Sequence, residues 1–128
     1  NPDDPDMLER KASLLAGLPG RQKDSLATIQ RAIELEQRPE FFFLRGCLHL
    51  DLGSFAEAVE DFKRMELARG ISTAALDTLM AEAFLGLNNV ELATSYYGSA
   101  KEKAAKGEQV DPERTKRVAN LIAEAGKK

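Results

Sequence analysis

Two side chains with the chemistry of a nucleophile and a general base lie close together in this sequence. Cys47 and His49 are its single cysteine and its single histidine. Residues two positions apart on a helix point to nearly opposite sides, so a direct Cys–His dyad is excluded. One cysteine and one histidine are also too few for a zinc site within the chain. We therefore expect no enzyme, no catalytic residue, no metal and no cofactor, and we interpret His49 as a packed ring.

Two further patterns could carry chemistry, and both have simpler interpretations. Glu57, Glu60 and Asp61 form an acidic run, which we interpret as a solvated helix face. The glycine-containing, basic segment 17–23 resembles an anion-binding turn, because glycines can present backbone N–H groups to phosphate. It lacks the Walker spacing and a preceding strand, so we interpret it as a turn between helices.

Composition and charge narrow the class of protein. The 128 residues are 43% hydrophobic and 30% charged, which is typical of one globular domain. No apolar run approaches the roughly 20 residues that cross a bilayer, so we expect no membrane insertion. Residues 1–100 hold 10 Lys and Arg against 16 Asp and Glu, and only residues 101–128 are basic, with 8 against 5. Nucleic-acid binders need a basic footprint to neutralise phosphates, so this balance disfavours nucleic acid as a partner.

The sequence matches itself when it is shifted by 35 residues, as Ala58 and Ala93 show. A fixed period of this size is typical of a repeat array, in which each short unit buries its apolar face against copies of itself. The other matching pairs are Gly46 with Ala81, His49 with Phe84, Leu52 with Leu87, Phe55 with Val90, Phe62 with Tyr97 and Met65 with Ala100. A more degenerate first copy matches at a shift of 33 residues, which aligns Leu15 with Leu48.

Helical spacing of the apolar residues, with start and stop signals, predicts an all-α chain without strands. Ser54 with Glu57 is a capping-box pattern, and Gly70 is placed to end the helix that follows. Asp111 and Pro112 are a strong start for the last helix, which should turn an apolar side inward and a basic side outward. Its inward set is Val118, Leu121, Ile122 and Ala125, and its outward set is Arg114, Lys116, Arg117 and Asn120.

These repeated positions resemble the tetratricopeptide repeat (TPR) pattern of aromatic, small and turn residues. The second copy supplies Phe42, Gly46, His49, Gly53, Phe55, Ala58, Phe62 and Met65, and the third supplies Asp77, Ala81, Phe84, Asn88, Val90, Ala93, Tyr97 and Ala100. We expect the small pairs Gly46 with Ala58, and Ala81 with Ala93, where two helices approach most closely. Asp77 in place of an aromatic, and Ser25 in place of an alanine, depart from the pattern.

The resemblance implies a right-handed α-solenoid of three TPR-like helix hairpins plus a C-terminal capping helix. The implied segments are a disordered segment or linker at 1–5, a degenerate repeat 1 at 6–38, repeat 2 at 39–73, repeat 3 at 74–108 and the capping helix at 109–128. In such proteins the first helices of the repeats line a concave groove that binds a peptide. The groove residues carried over are Arg10, Lys11, Leu14, Phe43, Leu44, Cys47, Leu50, Thr78, Leu79, Glu82 and Leu85, with Met7, Glu40 and Ala75 beside them.

The resemblance therefore implies a non-enzymatic scaffold or adaptor that binds a peptide or helical segment of a partner protein in an apolar groove. Only Arg10 is basic among the positions with which one TPR subset grips chaperone carboxylates, so we reject that mode. The alternatives are a chaperone for secretion or assembly, a self-association module (a homo-oligomer) of a larger protein, and an RNA-binding helical repeat. No targeting signal fixes the compartment. We expect the cytoplasm, with the periplasm or membrane attachment through a missing N-terminal segment as alternatives.

Overall fold

The computed structural model describes residues 4–127 and shows seven α-helices and no strand within that range. The all-α prediction is thus confirmed, and within each of the two compact units described below, helices that are adjacent in the chain pack against each other. The helices are α1 (Pro5–Ala16), α2 (Gln22–Leu35), α3 (Pro39–Asp51), α4 (Phe55–Arg69), α5 (Ala74–Gly86), α6 (Val90–Ala105) and α7 (Pro112–Ala125). The chain divides into two compact units, Asn1–Gly70 and Ile71–Lys128, which are described separately.

Several helix ends follow local sequence signals, and one predicted signal is not used. Asp111 accepts hydrogen bonds from two backbone N–H groups of α7, as predicted, and Gly70 ends α4 in the left-handed conformation at φ 74°. Ser54 is the N-cap of α4, but its side chain makes no capping hydrogen bond, so the predicted capping box is wrong. Of the predicted linker, residues 1–3 lie outside the described range, whereas Asp4 caps α1 and Pro5 begins it.

The first unit is built from two helix pairs, α1 with α2 and α3 with α4, and α2 also packs against α3. Its apolar core is formed by Ala12, Ile29, Ala32, Ile33, Phe41, Phe42 and Leu48. Ser25 is fully buried on α2, where its hydroxyl donates a hydrogen bond of 2.6 Å to the carbonyl oxygen of Ala12. This bond explains how a hydroxyl is tolerated at a position where the repeat pattern has alanine, because a buried polar group needs a partner.

Helices α3 and α4 approach so closely that only glycine fits at position 46. A Cβ atom there would lie 2.6 Å from Cε1 of Phe62, and Ala58 is also fully buried. In the second unit the equivalent Ala81 and Ala93 are fully buried. All four positions are therefore buried, as small residues at a helix contact would be, and Gly46 lies directly against α4.

The second unit consists of α5 packed against α6, with α7 lying against both. Val118 is the buried apolar anchor of α7 in the described range. The predicted faces of α7 need correction at two positions. Leu121 is 45% exposed rather than inward, and Arg114 is half-buried rather than outward, because its guanidinium pairs with a carboxylate of α5.

Candidate functional site

The most exposed apolar surface of α1 coincides with the residues predicted for the groove. Ala12 and Leu15 are buried and hold α1 in the first unit. On the other side of α1, Met7 is 53% exposed and Leu14 is 74% exposed. Residues seven positions apart lie on one side of a helix, so Met7 and Leu14 belong to one exposed stripe of α1. The other apolar residues of α1 are buried or half-buried.

Two cations lie within this stripe. Arg10 and Lys11 are both exposed, and neither forms an ion pair with any residue of the described range 4–127. Arg38 and Arg45 of the first unit, by contrast, each pair with carboxylates. The positive charge on α1 is thus available to a partner.

Helix α3 contributes three half-buried side chains to the predicted groove. The ring of Phe43 lies 6.2 Å from the ring of Phe62, and Leu44 packs against the core of the first unit. Cys47 is half-buried. These side chains are packed against the first unit and also expose part of their surface, so a partner could contact them without a rearrangement of the core.

We give the name α1–α3 face to the residues that the sequence predicted for the groove on these two packed helices: Met7, Arg10, Lys11, Leu14, Glu40, Phe43, Leu44 and Cys47. Arg38, at the N-cap of α3, helps to hold the two helices together by pairing with both Glu36 and Asp6. Its guanidinium also lies 5.1 Å from the ring centre of Phe41. Hydrogen bonds to Glu36 and then to Asp6 raise the pKa of Arg38 above its ordinary value, so the side chain stays charged.

Three predicted groove residues are buried and need correction. Leu50 is 7% exposed, Thr78 is 2% exposed and Leu79 is 6% exposed. The hydroxyl of Thr78 donates a hydrogen bond of 2.9 Å to the carbonyl oxygen of Ala74, so its polar group is also satisfied. These side chains have almost no surface to offer a partner. Helical spacing alone did not distinguish them from their exposed neighbours.

Glu82 was predicted as an acid of the groove, but in the structure its carboxylate forms ion pairs with residues of α7. Its carboxylate pairs with Arg114 and, at 3.3 Å, with Arg117. Glu82 is only 19% exposed as a side chain and has two cationic partners, so it attaches the last helix to α5. Leu85, one turn further on, is half-buried.

Asp61, predicted to be solvated, is in fact the buried acid of a polar trio formed with Arg45 and His49. Its carboxylate accepts hydrogen bonds of 2.9 Å from Nε and 2.7 Å from Nη2 of Arg45. Nε2 of His49 lies 3.9 Å from the same carboxylate, and its buried Nδ1 has no hydrogen-bond partner in the described range. The trio joins α3 to α4 inside the first unit. A packed histidine in this position agrees with the expectation for His49.

Asp77, the second buried acid, occupies the position where the preceding copy has the aromatic Phe42. It is 2% exposed and accepts hydrogen bonds from the hydroxyls of Ser72 and Ser99 and from Nζ of Lys103, at 2.7, 2.9 and 2.7 Å. The network joins the start of α5 to α6. Sequence reasoning noted the missing aromatic but not this replacement, which the nearby serines and lysine could have signalled.

Other kinds of site find no support in residues 4–127. No cluster of three or more potential ligands among His, Cys, Asp and Glu could hold a metal ion there. No helix in that range combines the length and the apolar character needed to span a bilayer. In the segment 17–23, the backbone N–H groups of Gly17, Leu18 and Arg21 already donate to carbonyl oxygens. They are therefore not directed at an anion.

Comparison with known proteins gives no independent indication of family. No protein-family model matches this chain, and no curated protein is significantly similar to it in sequence. The functional argument therefore depends on the surfaces just described.

Proposed function

We propose that this protein is a non-enzymatic TPR-like scaffold that binds a segment of a partner protein on the α1–α3 face. The arrangement proposed is a right-handed solenoid of three helix hairpins closed by α7. Its support is the 35-residue period together with the packing of α1 with α2, α3 with α4 and α5 with α6. Arrays of this kind commonly use extended surfaces for binding.

The observation that carries the proposal is the exposure of Leu14 and Met7 on one side of α1. A folded protein exposes single apolar side chains routinely, but two on one side of a helix, at positions that the repeat pattern assigns to a groove, mark a candidate interaction surface. Covering a leucine and a methionine at their observed exposures would contribute about 2 to 4 kcal/mol, taking about 1.5 to 3 kcal/mol for each full side chain. The partner must therefore also contact α3 to reach a useful affinity.

Leu14 is the better position for a test than Phe43. Phe43 contacts the fully buried ring of Phe62, so replacing it would disturb the core. Leu14→Glu changes a side chain that is 74% exposed, and Leu67→Glu on α4 is a matched control because Leu67 is 82% exposed. Both variants should keep the melting temperature of the wild type, since exposed substitutions usually change stability by less than about 0.5 kcal/mol.

The experiment selects binders from a displayed peptide library with the wild-type protein and measures their affinity by fluorescence anisotropy. We expect Leu14→Glu to weaken the selected peptides at least about tenfold and Leu67→Glu to leave them unchanged. Equal affinity for all three proteins, or a loss with Leu67→Glu alone, would show that binding occurs elsewhere.

A further inference from the structure

The form and charge of the α1–α3 face also indicate what kind of segment it takes, an inference that depends on the proposed function. Met7 and Leu14 are seven residues apart, so their side chains lie about 10 Å apart along α1 at 1.5 Å per residue. Leu18, in the turn just after the helix, is a further exposed apolar residue. A separation of two helical turns matches the spacing of apolar residues on an amphipathic helix lying along α1.

The charges on the face favour an acidic partner. Arg10 and Lys11 flank the apolar stripe, are exposed and have no ion-pair partner in the described range, whereas Glu40 is the single acid of the face. Two available cations against one acid leave the face net positive within a chain whose formal net charge is −3. Complementary charge at the rim of an interface contributes mainly to specificity and to the rate of association.

We expect nucleic acid to bind this surface only weakly. Phosphate contacts need many cations, and the face has two, while Met7 and Leu14 would remain against a polar backbone. An acidic helix uses both features at once, because its apolar side covers the stripe and its carboxylates reach the two cations. We infer that the α1–α3 face binds an amphipathic helix with Glu or Asp residues beside its apolar side.

The test uses two synthetic helical peptides of about 16 residues, which is long enough to cover the stripe at 1.5 Å per residue. Both carry leucines at positions i, i+3, i+4 and i+7, and their flanking positions are all Glu in one and all Lys in the other. A single-stranded RNA of similar length is the third probe. Binding is measured by fluorescence anisotropy at about 50 mM and about 300 mM NaCl, because screening weakens contacts between exposed charges.

The protein variants reverse the charge at the site and at a control position. Arg10→Glu with Lys11→Glu changes the face, and Lys63→Glu with Arg69→Glu makes the same change on α4. Lys63 and Arg69 are likewise exposed and unpaired in the part of the chain that the structure describes. Both double variants have the same net charge, so a difference in their peptide affinities shows where on the protein the peptide binds. Circular dichroism checks that each remains folded.

We expect the wild type to bind the acidic peptide at least about tenfold more tightly than the basic one, with a smaller preference at high salt. The variant at positions 10 and 11 should prefer the basic peptide, and the α4 variant should behave like the wild type. Equal binding of both peptides, a preference unaffected by the change at positions 10 and 11, no binding at about 1 mM, or tighter binding of the RNA would overturn the inference.

The two proposals can fail separately. If Leu14→Glu weakens the library-selected peptides while no acidic preference is found, the binding face stands and the inference about its partner is wrong. If Leu14→Glu has no effect, the proposed function itself is wrong.

Discussion

The buried pair of Arg45 and Asp61 allows a quantitative test of what holds the α3–α4 hairpin together. Asp61 is 2% exposed and accepts two hydrogen bonds from Arg45, which is 16% exposed as a side chain. Removing one member of a buried ion pair typically costs about 3 to 5 kcal/mol, because the other charge is left without compensation. We therefore expect Arg45→Met to lower the free energy of unfolding by about that amount.

The next copy shows which residues could replace the pair. A shift of 35 residues aligns Arg45 with Met80 and Asp61 with Tyr96, which are apolar or aromatic. Well-packed apolar replacements of a buried ion pair are often neutral or stabilising. The double variant Arg45→Met/Asp61→Tyr should therefore lie within about 1 kcal/mol of the wild type, although each single change is costly.

His49 extends this comparison to a third position. It aligns with Phe84, whose ring stacks on that of Tyr96 with centroids 5.6 Å apart and an interplanar angle of 14°. Adding His49→Phe to the double variant would give the α3–α4 hairpin the same three residue types as Met80, Phe84 and Tyr96. It also removes the buried Nδ1 atom that has no partner in the described range, so a further gain of about 1 kcal/mol is expected.

The assay is urea denaturation followed by far-ultraviolet circular dichroism for the wild type, the two single variants, and the double and triple variants. Both wild-type tyrosines, Tyr96 and Tyr97, lie in the second unit, so tyrosine fluorescence of Arg45→Met separately reports on that unit. A cost below about 1 kcal/mol for Arg45→Met would refute the reasoning about the ion pair. A double variant as unstable as the sum of its singles would refute the equivalence of the two copies.

Three further predictions concern packing and polar anchoring. Gly46→Ala should destabilise the protein by about 1 to 3 kcal/mol, because the added methyl group meets Phe62. Gly98→Ala in α6 should stabilise it by up to about 1 kcal/mol, because the added methyl group meets no atom within 4 Å and alanine favours the helix. Thermal unfolding compares the two, and changes of the same sign would contradict the packing argument. Asp77→Ala should cost about 2 to 4 kcal/mol in urea denaturation, since a lysine and two hydroxyls lose their acceptor, and a cost near zero would exclude an anchoring role. Glu82→Gln should accelerate tryptic cleavage within α7, as followed by mass spectrometry, and unchanged cleavage would show that other contacts hold this helix.

The sequence predicted the helices well because their signals are local. The aspartate and proline that begin α7 satisfy or remove backbone donors within the first turn, so Asp111 and Pro112 can be interpreted without knowing the fold. The repeat pattern also predicted small residues at positions 46 and 58, and both are buried, Gly46 against Phe62. Ser54 shows the limit, since its residue type is right for a cap but its side chain is turned elsewhere.

The buried acids were not predicted because their partners are distant in the chain. Asp61 follows Glu60 and resembles part of a solvated acidic run, while Arg45 lies 16 residues earlier on another helix. The predicted groove was partly wrong for a related reason. The groove positions were carried over from the TPR resemblance, which assigns equivalent positions in each copy but does not show that Thr78 and Leu79 are covered while Leu14 is open.

The difference between the two aligned trios also bears on how the chain avoids mispairing its similar hairpins during folding. If α6 took the place of α4 against α3, Arg45 would face Tyr96 and find no carboxylate. If α4 packed on α5, Asp61 would be buried beside Met80 without a cation. Each mismatch leaves a charge uncompensated and would cost several kcal/mol. We therefore expect the ion pair to favour the pairing of α3 with α4 and to disfavour an exchange of helices between the two copies.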